Sequence, residues 1–298
     1  MSTPAAVPDR LDRIASLWLV GCGAMGGTLL GRWIAAGLDP RSVTVIDPQP
    51  GAPPVTSAGG PPVTSVATPA EAAAGPPPQL VVLGVKPQIV AAVAAALQPA
   101  LPQRPLLLSM LAGVRTSTLG HLFPGARLVR IMPNTPARVG KGGTATFGAG
   151  LGPGASLLAE ALARAAGTLL WLDDEHRFDA VTALSGSGPA FLFRFIEALA
   201  GAGESVGLDP ATAAALASQT VVGAAALVEL GEAGPALLRQ QVTSPNGVTE
   251  AGLDVLDGDG ALSSLLRATL RAASERSRAL AAAAEATTSP ALPGAGRG

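Results

Sequence analysis

The chain of 298 residues contains no tyrosine, one cysteine and two histidines. Without a phenol, every mechanism that uses tyrosine as general acid is excluded, including the Tyr/Lys arrangement of many short-chain reductases. Cys22 alone cannot form an intrachain disulfide, and with His121 and His176 it leaves too few soft ligands for an ordinary zinc site, so no metal is expected. An excess of one charge is lacking too: Lys+Arg 20 balance Asp+Glu 21, and no dense basic run offers a footprint for nucleic acid. No stretch approaches the roughly 18–20 consecutive apolar residues of a membrane span. The apolar run at 14–20 has neither the basic start nor the small-residue cleavage site of a signal peptide. These absences predict a soluble, cytoplasmic protein that acts on a small molecule and binds neither nucleic acid nor membrane.

What is present is apolar and punctuated. Gly 37 and Pro 27 make up about a fifth of the chain, close to the low-complexity range, yet 48% of residues are hydrophobic. That is enough for about two cores at roughly 150 residues per domain. The first half alternates β-branched runs with Gly/Pro-bounded segments, which predicts an α/β, Rossmann-type doubly wound parallel sheet with crossover helices. Strands are expected at 15–20, 43–46, 63–66, 80–85, 106–108, 127–132, 144–147 and 168–172, and helices at 25–36, 88–98 and 154–166. On the first helix Leu29, Leu30, Trp33 and Ile34 share a face, and Gly37 supplies the stop. Six prolines between the second and third strands make 48–62 a loop.

After Asp173 the pattern turns wholly helical, at 176–184, 189–206, 210–230, 235–242, around 250–256 and at 260–284, with Pro189, Pro210 and Pro235 suited to first turns. The helix at 210–230 is apolar nearly all round, and a domain of about 110 residues offers too little to cover it. Burial in a second copy is therefore expected, as an intertwined homodimer; a central core helix is the alternative.

Gly21-Cys22-Gly23-Ala24-Met25-Gly26 is a G-x-G-x-x-G that follows a predicted strand and opens a predicted helix. In that context the glycines allow a tight turn and close approach of a pyrophosphate to a helix N-terminus. Cys22 fills a variable position and reads as a small packing residue. Asp47 ends the second strand, where a carboxylate can accept from the adenosine ribose hydroxyls; a turn-capping role before Pro48 is the alternative. Three further loops leave strands on the same sheet edge: Val85-Lys86-Pro87-Gln88, the segment 109–113 with Ala112 and Gly113, and Met132-Pro133-Asn134-Thr135-Pro136. The limits 1–173 for a dinucleotide-binding domain, 174–284 for a helical domain and 285–298 for a disordered tail follow. Within the helical half, Ser185-Gly186-Ser187-Gly188-Pro189 and Ser244-Pro245-Asn246-Gly247-Val248-Thr249 put hydroxyls and free amides at helix starts. Such a start suits a carboxylate, although capping alone would explain either string.

Taken together, these strings resemble the pyrroline-5-carboxylate reductase family, which catalyses the last step of proline biosynthesis. The resemblance runs from about Ala15 to Leu280; it is carried by the strings above together with 179–191 and Val242-Thr243. It implies an N-terminal Rossmann domain, a C-terminal dimerisation domain, larger assemblies built from dimers, and hydride transfer from NADH or NADPH to a cyclic imine. By resemblance, Ser244, Asn246, Gly247, Val248 and Thr249 hold the substrate, with Thr249 orienting its nitrogen and Glu232 reaching the site from a second copy. Gly21, Gly23, Ala24, Met25, Gly26, Asp47, Val85, Lys86, Pro87, Ala112, Gly113 and Asn134 hold the cofactor. A related imine or β-hydroxyacid reductase, or a non-catalytic dinucleotide-binding dimer, is the alternative.

Three positions depart from the family. Asn246 stands in a family Ser-Pro-Gly-Gly, at a place that can require positive φ, which Asn tolerates. Phe191 replaces a frequent Tyr. The segment after Asp47 lacks the Ser/Arg pair that many members use for the adenosine phosphate, and no Lys or Arg occurs between 48 and 71, so use of NADH is expected, with the more distant Arg41 as the alternative partner for a phosphate.

Overall fold

The computed structural model describes residues 11–49 and 61–288. Most of the Pro-rich loop read at 48–62 lies outside these residues, as does 289–298 of the expected tail. The eight strands are β1 (Leu17–Val20), β2 (Val43–Ile46), β3 (Thr64–Val66), β4 (Leu80–Leu83), β5 (Leu106–Ser109), β6 (Arg127–Met132), β7 (Gly142–Phe147) and β8 (Gly167–Trp171). They form one sheet in the order β3-β2-β1-β4-β5-β6-β7-β8. The helices of the sheet region are α1 (Ala24–Ala35), α2 (Pro69–Ala72), α3 (Val90–Leu97), α4 (Thr116–Leu122), α5 (Pro153–Ala165) and α6 (Phe178–Val181). Those of the helical region are α7 (Gly188–Ser205), α8 (Pro210–Leu230), α9 (Pro235–Gln241), α10 (Val248–Asp257) and α11 (Ala261–Thr288).

The strands are short and apolar on both faces because helices cover both. Alternate residues of β1, β4 and β5 go to opposite sides. Leu17, Leu19, Leu80, Val82, Leu106 and Leu108 pack with α1 and α5, whereas Trp18, Val20, Val81, Leu83 and Leu107 pack with α3 and α4. The face read on α1 is the buried one, with Trp33 donating its indole N–H to the Leu162 carbonyl at 2.9 Å.

The sheet departs from the expected all-parallel form at β7, which runs antiparallel to β6. The connection at 133–141 is a single 3-10 turn ended by Gly140 with φ +72, too short for the crossover that a parallel neighbour needs. β8 then pairs parallel with β7 through α5. The helix read at 176–184 is instead a 3-10 turn (Glu175–Arg177), the single α turn α6 and a π turn (Thr182–Gly186). α4 was not expected at all. α11 runs through Thr288, so Glu285–Thr288, expected in an irregular tail, are helical.

The chain divides into two compact units. The first keeps the described chain as far as Gly186, beyond the limit expected at 173, and takes it up again from Ser274; the second is Ser187–Ala273. In the second unit α7 and α8 pack along each other, yet only Ala213 and Ala217 of α8 are buried and no residue of α7 is. Phe193, Phe195, Leu216, Val222, Leu227 and Leu230 are exposed in the single chain, so α8 is not a core helix of its own chain. Among the described residues α8 is also the one helix long and apolar enough to cross a membrane by length and composition. Its Thr212, Ser218, Gln219 and Thr220 interrupt any continuous apolar run.

Candidate active site

The glycine loop between β1 and α1 is built by steric necessity. Gly21 has φ +85, and a Cβ there would come within 2.8 Å of Val85 Cγ1 and 2.9 Å of the Gly84 carbonyl. A Cβ on Gly26 would lie 2.7 Å from the Gly21 carbonyl oxygen, whereas one on Gly23 would meet nothing within 4 Å. Gly21 and Gly26 are thus demanded by packing, and Gly23 leaves an open approach to the helix start. Gly23 is also the N-cap of α1 and brings no side-chain cap, so the first amides of the helix, Ala24 and Met25, have no intrahelical acceptor.

A cleft of about 650 Å³ opens along this edge, lined by Gly21, Gly23, Asp47, Gly84, Val85 and Lys86 among others. Its volume is of the size that small ligands and cofactors occupy. Asp47 accepts from the Cys22 amide at 2.9 Å through Oδ2 and from the Gln49 amide at 3.0 Å through Oδ1. It both caps its turn and anchors the glycine loop. The Cys22 thiol is buried, and its pKa is pushed up by that burial first and by the Asp47 carboxylate second. It stays protonated at neutral pH and is a poor nucleophile. Lys86 is the one cation lining the cleft among the described residues. Arg41 is turned to Asp39, with Nη2 at 2.9 Å and Nε at 3.1 Å.

The open glycine loop, the bare start of α1 and a carboxylate at the end of β2 fit a dinucleotide. Gly84 belongs with these residues and was missed by sequence reasoning: a Cβ there would lie 2.8 Å from the Gly21 carbonyl oxygen. Its only signal was a glycine at a strand end just before Val85-Lys86.

The remaining cofactor candidates are placed less uniformly. Ala112 is exposed, whereas Gly113 is buried with φ +76. Asn134 donates through Nδ2 to the backbone oxygen and to Oγ of Ser185, each at 3.1 Å, and accepts from the Gly143 amide at 2.9 Å. It therefore joins the end of β6 to β7 and to the π turn, the kind of helical irregularity that recurs at functional sites.

Beside the sheet edge, Glu175 accepts from the Thr116 amide at 2.7 Å, the Thr116 hydroxyl at 2.6 Å and Arg130 Nη1 at 2.8 Å. The Arg130 guanidinium stacks 4.2 Å over the Phe178 ring. No sequence motif announced this pair of a buried guanidinium and a half-buried carboxylate.

In the helical unit the predicted substrate residues form one turn. Asn246 takes φ +58, the left-handed conformation expected of it, and its amide donates to Glu250 at 2.6 Å. The Gly247 amide donates to the Ser244 carbonyl at 3.0 Å, and a Cβ on Gly247 would collide with the Ser244 hydroxyl. Gly247 caps α10 without a side chain, leaving the Val248 and Thr249 amides without intrahelical acceptors. Ser244, Val248, Thr249 and Glu232 are all exposed in the single chain.

Known proteins share this architecture. Residues 175–280 match the family model for pyrroline-5-carboxylate reductase dimerisation, and residues 16–113 match the one described as NADP oxidoreductase coenzyme F420-dependent. A pyrroline-5-carboxylate reductase of Pseudomonas aeruginosa is 40% identical over 284 residues, covering 94% of this chain and 98% of that protein. One from Synechocystis is 42% identical over 203 residues, covering 68% of this chain and 75% of the relative. Among solved structures, the Coxiella burnetii pyrroline-5-carboxylate reductase superposes with TM-score 0.81 at 34% identity, covering 90% of this chain and 98% of its own. The Plasmodium falciparum pyrroline carboxylate reductase, with NADP bound, gives 0.77 at 25% identity, covering 91% and 99%. With a relative so similar over almost its entire length, and with the glycine loop and the α10 turn in place, the chain belongs to the pyrroline-5-carboxylate reductase family.

Proposed function

We propose that the chain reduces 1-pyrroline-5-carboxylate to L-proline, the last step of proline biosynthesis, with a nicotinamide dinucleotide as reductant. The observation that carries this reading is the presence, in one family member, of both a glycine loop open at Gly23 and a hydroxyl-bearing, uncapped start of α10. When bound, the nicotinamide supplies the hydride. Gly21, Gly23, Ala24, Met25 and Gly26 hold the pyrophosphate, and Asp47 accepts from the adenosine ribose. Val85, Lys86, Pro87, Ala112, Gly113 and Asn134 shape the rest of the cofactor edge.

Ser244, Asn246, Gly247, Val248 and Thr249 hold the imine: the free amides of α10 take its carboxylate, and the Thr249 hydroxyl orients its nitrogen. Glu232 joins them from a second copy. A cyclic imine is basic enough to arrive protonated, so no strong side-chain acid is needed, which suits a chain without tyrosine. The work left to the protein is orientation and exclusion of water.

Asp47 supports use of NADH at least comparable with NADPH. The exposed apolar faces of α7 and α8 support an intertwined homodimer of the helical domain, 174–284, from which larger assemblies are built, while 1–173 carries the cofactor. With those faces covered by protein, the enzyme is soluble and cytoplasmic.

The test is initial-rate oxidation of NADH and of NADPH by the full chain, with pyrroline-5-carboxylate, a six-membered cyclic imine and a β-oxoacid, the hydride-accepting partner of a β-hydroxyacid, offered separately, and with the product identified by mass. Turnover of pyrroline-5-carboxylate to proline well above the others is expected. No oxidation with that imine, or faster turnover of the β-oxoacid, overturns the reading.

A further inference from the structure

The last helix grips the cofactor edge through one stripe of side chains. Ser277, Ala281 and Glu285 stand four residues apart on α11 and so share a face. Ser277 Oγ donates to Asp179 Oδ1 at 2.7 Å. Glu285 pairs with Arg115 Nε at 3.3 Å. Between them, Ala281 is 4% exposed, and a Cβ added to Gly113 would lie 2.9 Å from its Cα. Gly113 is thus fixed as glycine twice over, by φ +76 and by the helix backbone against it.

The loop that carries Gly113 is held at both ends as well. Thr116 is tied to Glu175, and the Met110 amide donates to the Leu83 carbonyl at 3.1 Å. The Met110 thioether sits 3.5 Å from where a Cβ on Gly84, a cleft residue, would be. The loop thus lies against α11 at Gly113 and, through Met110, beside Gly84 of the cleft, and the family-model match ends at residue 280, before Ala281 and Glu285.

We propose that this face of α11 is a positioning surface for the loop 110–116 and thereby sets cofactor affinity, with Ala281 fixing how deep the loop sits. The inference rests on the reading that this loop borders the dinucleotide. Ala281 is buried with its backbone against Gly113, so a larger side chain at 281 must push its surroundings aside, and on this proposal the loop pinned at Met110 and Thr116 shifts with it.

The experiment is a size series, Ala281→Ser, Ala281→Val and Ala281→Leu, in the full chain, with the Kd for NADH and NADPH measured calorimetrically without imine and both KM values measured in turnover. Cofactor Kd and KM should rise with side-chain volume, about threefold for Ser and about tenfold for Leu, while the imine KM and kcat at saturating cofactor stay within about twofold. A purely structural role would lower Tm without separating the two KM values. An unaltered cofactor Kd across the series overturns the proposal, and if Leu does not fold, Ser, one oxygen larger than Ala, carries the same two outcomes. A wild-type protein that binds neither dinucleotide overturns the cofactor-site reading itself, and the positioning role with it.

Discussion

Asp47 has one bond on each carboxylate oxygen, from the Cys22 and Gln49 amides, and each oxygen keeps a lone pair for a further donor. Two ribose hydroxyls can supply those donors, whereas a 2′-phosphate meets a like charge that cannot turn away without losing both bonds. Relief from Arg41 would require it to leave its fork on Asp39. Asp47→Ser should therefore shift the ratio of kcat/KM values toward NADPH by about tenfold, the effect of about 1.4 kcal/mol. A strong NADPH preference in the wild type, unmoved by the substitution, would make Asp47 a turn residue only. Thr249 is the matching case on the substrate side, since its hydroxyl has no hydrogen-bond partner among the described residues. Thr249→Ala should cost about 1.5–3 kcal/mol in kcat/KM for the imine if the hydroxyl serves a charged group, with cofactor Kd unchanged. An unchanged kcat/KM would remove Thr249 from the site.

Glu175 does at the level of elements what Asp47 does for a single turn, since it joins β6 through Arg130 to the start of α4 through Thr116. Burial pushes its carboxyl up, but the bonds from Thr116 and Arg130 outweigh that and hold its pKa below the ordinary 4.5. Burial likewise pulls the Arg130 guanidinium down, against the opposing pull of Glu175. A carboxylate with a depressed folded pKa adds stability that is present above its unfolded pKa and lost as pH falls through the folded one. Glu175→Gln should cost about 3 kcal/mol at pH 7, because a buried guanidinium loses its partner. In urea unfolding the gap to wild type should narrow as pH falls below the ordinary carboxylate range and through the lowered folded pKa of Glu175; a gap independent of pH would assign the tie to hydrogen bonding and not to charge. This pair also marks what the sequence conceals. β6 and α8 lie on the residues their patterns assign, because an apolar run or a proline start is a local signal. α4 is built from Thr116, Ser117, Thr118 and Gly120 around the single buried Leu119, a poor helix by propensity. It forms because the sheet face needs covering and Glu175 caps its first turn. The run after Asp174 has helical spacing, yet Glu175 and Ser185 are claimed by Thr116 and Asn134, partners far away in sequence. Gly21 and Gly26 were legible because their steric demand is written as a motif, while Gly84 and Ala281 matter only for the backbone that each faces.

The whole molecule carries its largest unpaid cost on the second unit. α8 buries only Ala213 and Ala217 within its own chain, leaving Leu216, Val222, Leu227, Val228 and Leu230 in water, and covering each such side chain is worth about 1.5–3 kcal/mol. A second copy of the same unit is the cover that the dimerisation match supports, for a helix that by length and composition alone could also cross a membrane. Val222 separates the possibilities because it is 61% exposed in the single chain. If that face stays free, Val222→Glu is a surface change worth no more than about 0.5 kcal/mol. If it is covered, the substitution buries an unpaired charge at a cost of several kcal/mol. The expected result, by light scattering on a sizing column at micromolar concentration, is insoluble protein or an inactive monomer, with Val222→Leu still dimeric and active. A soluble, fully active monomer would refute the intertwined arrangement. An active dimer of unchanged Tm would put Val222 outside the interface and move the covered face to the Leu216 and Leu227 side of the helix.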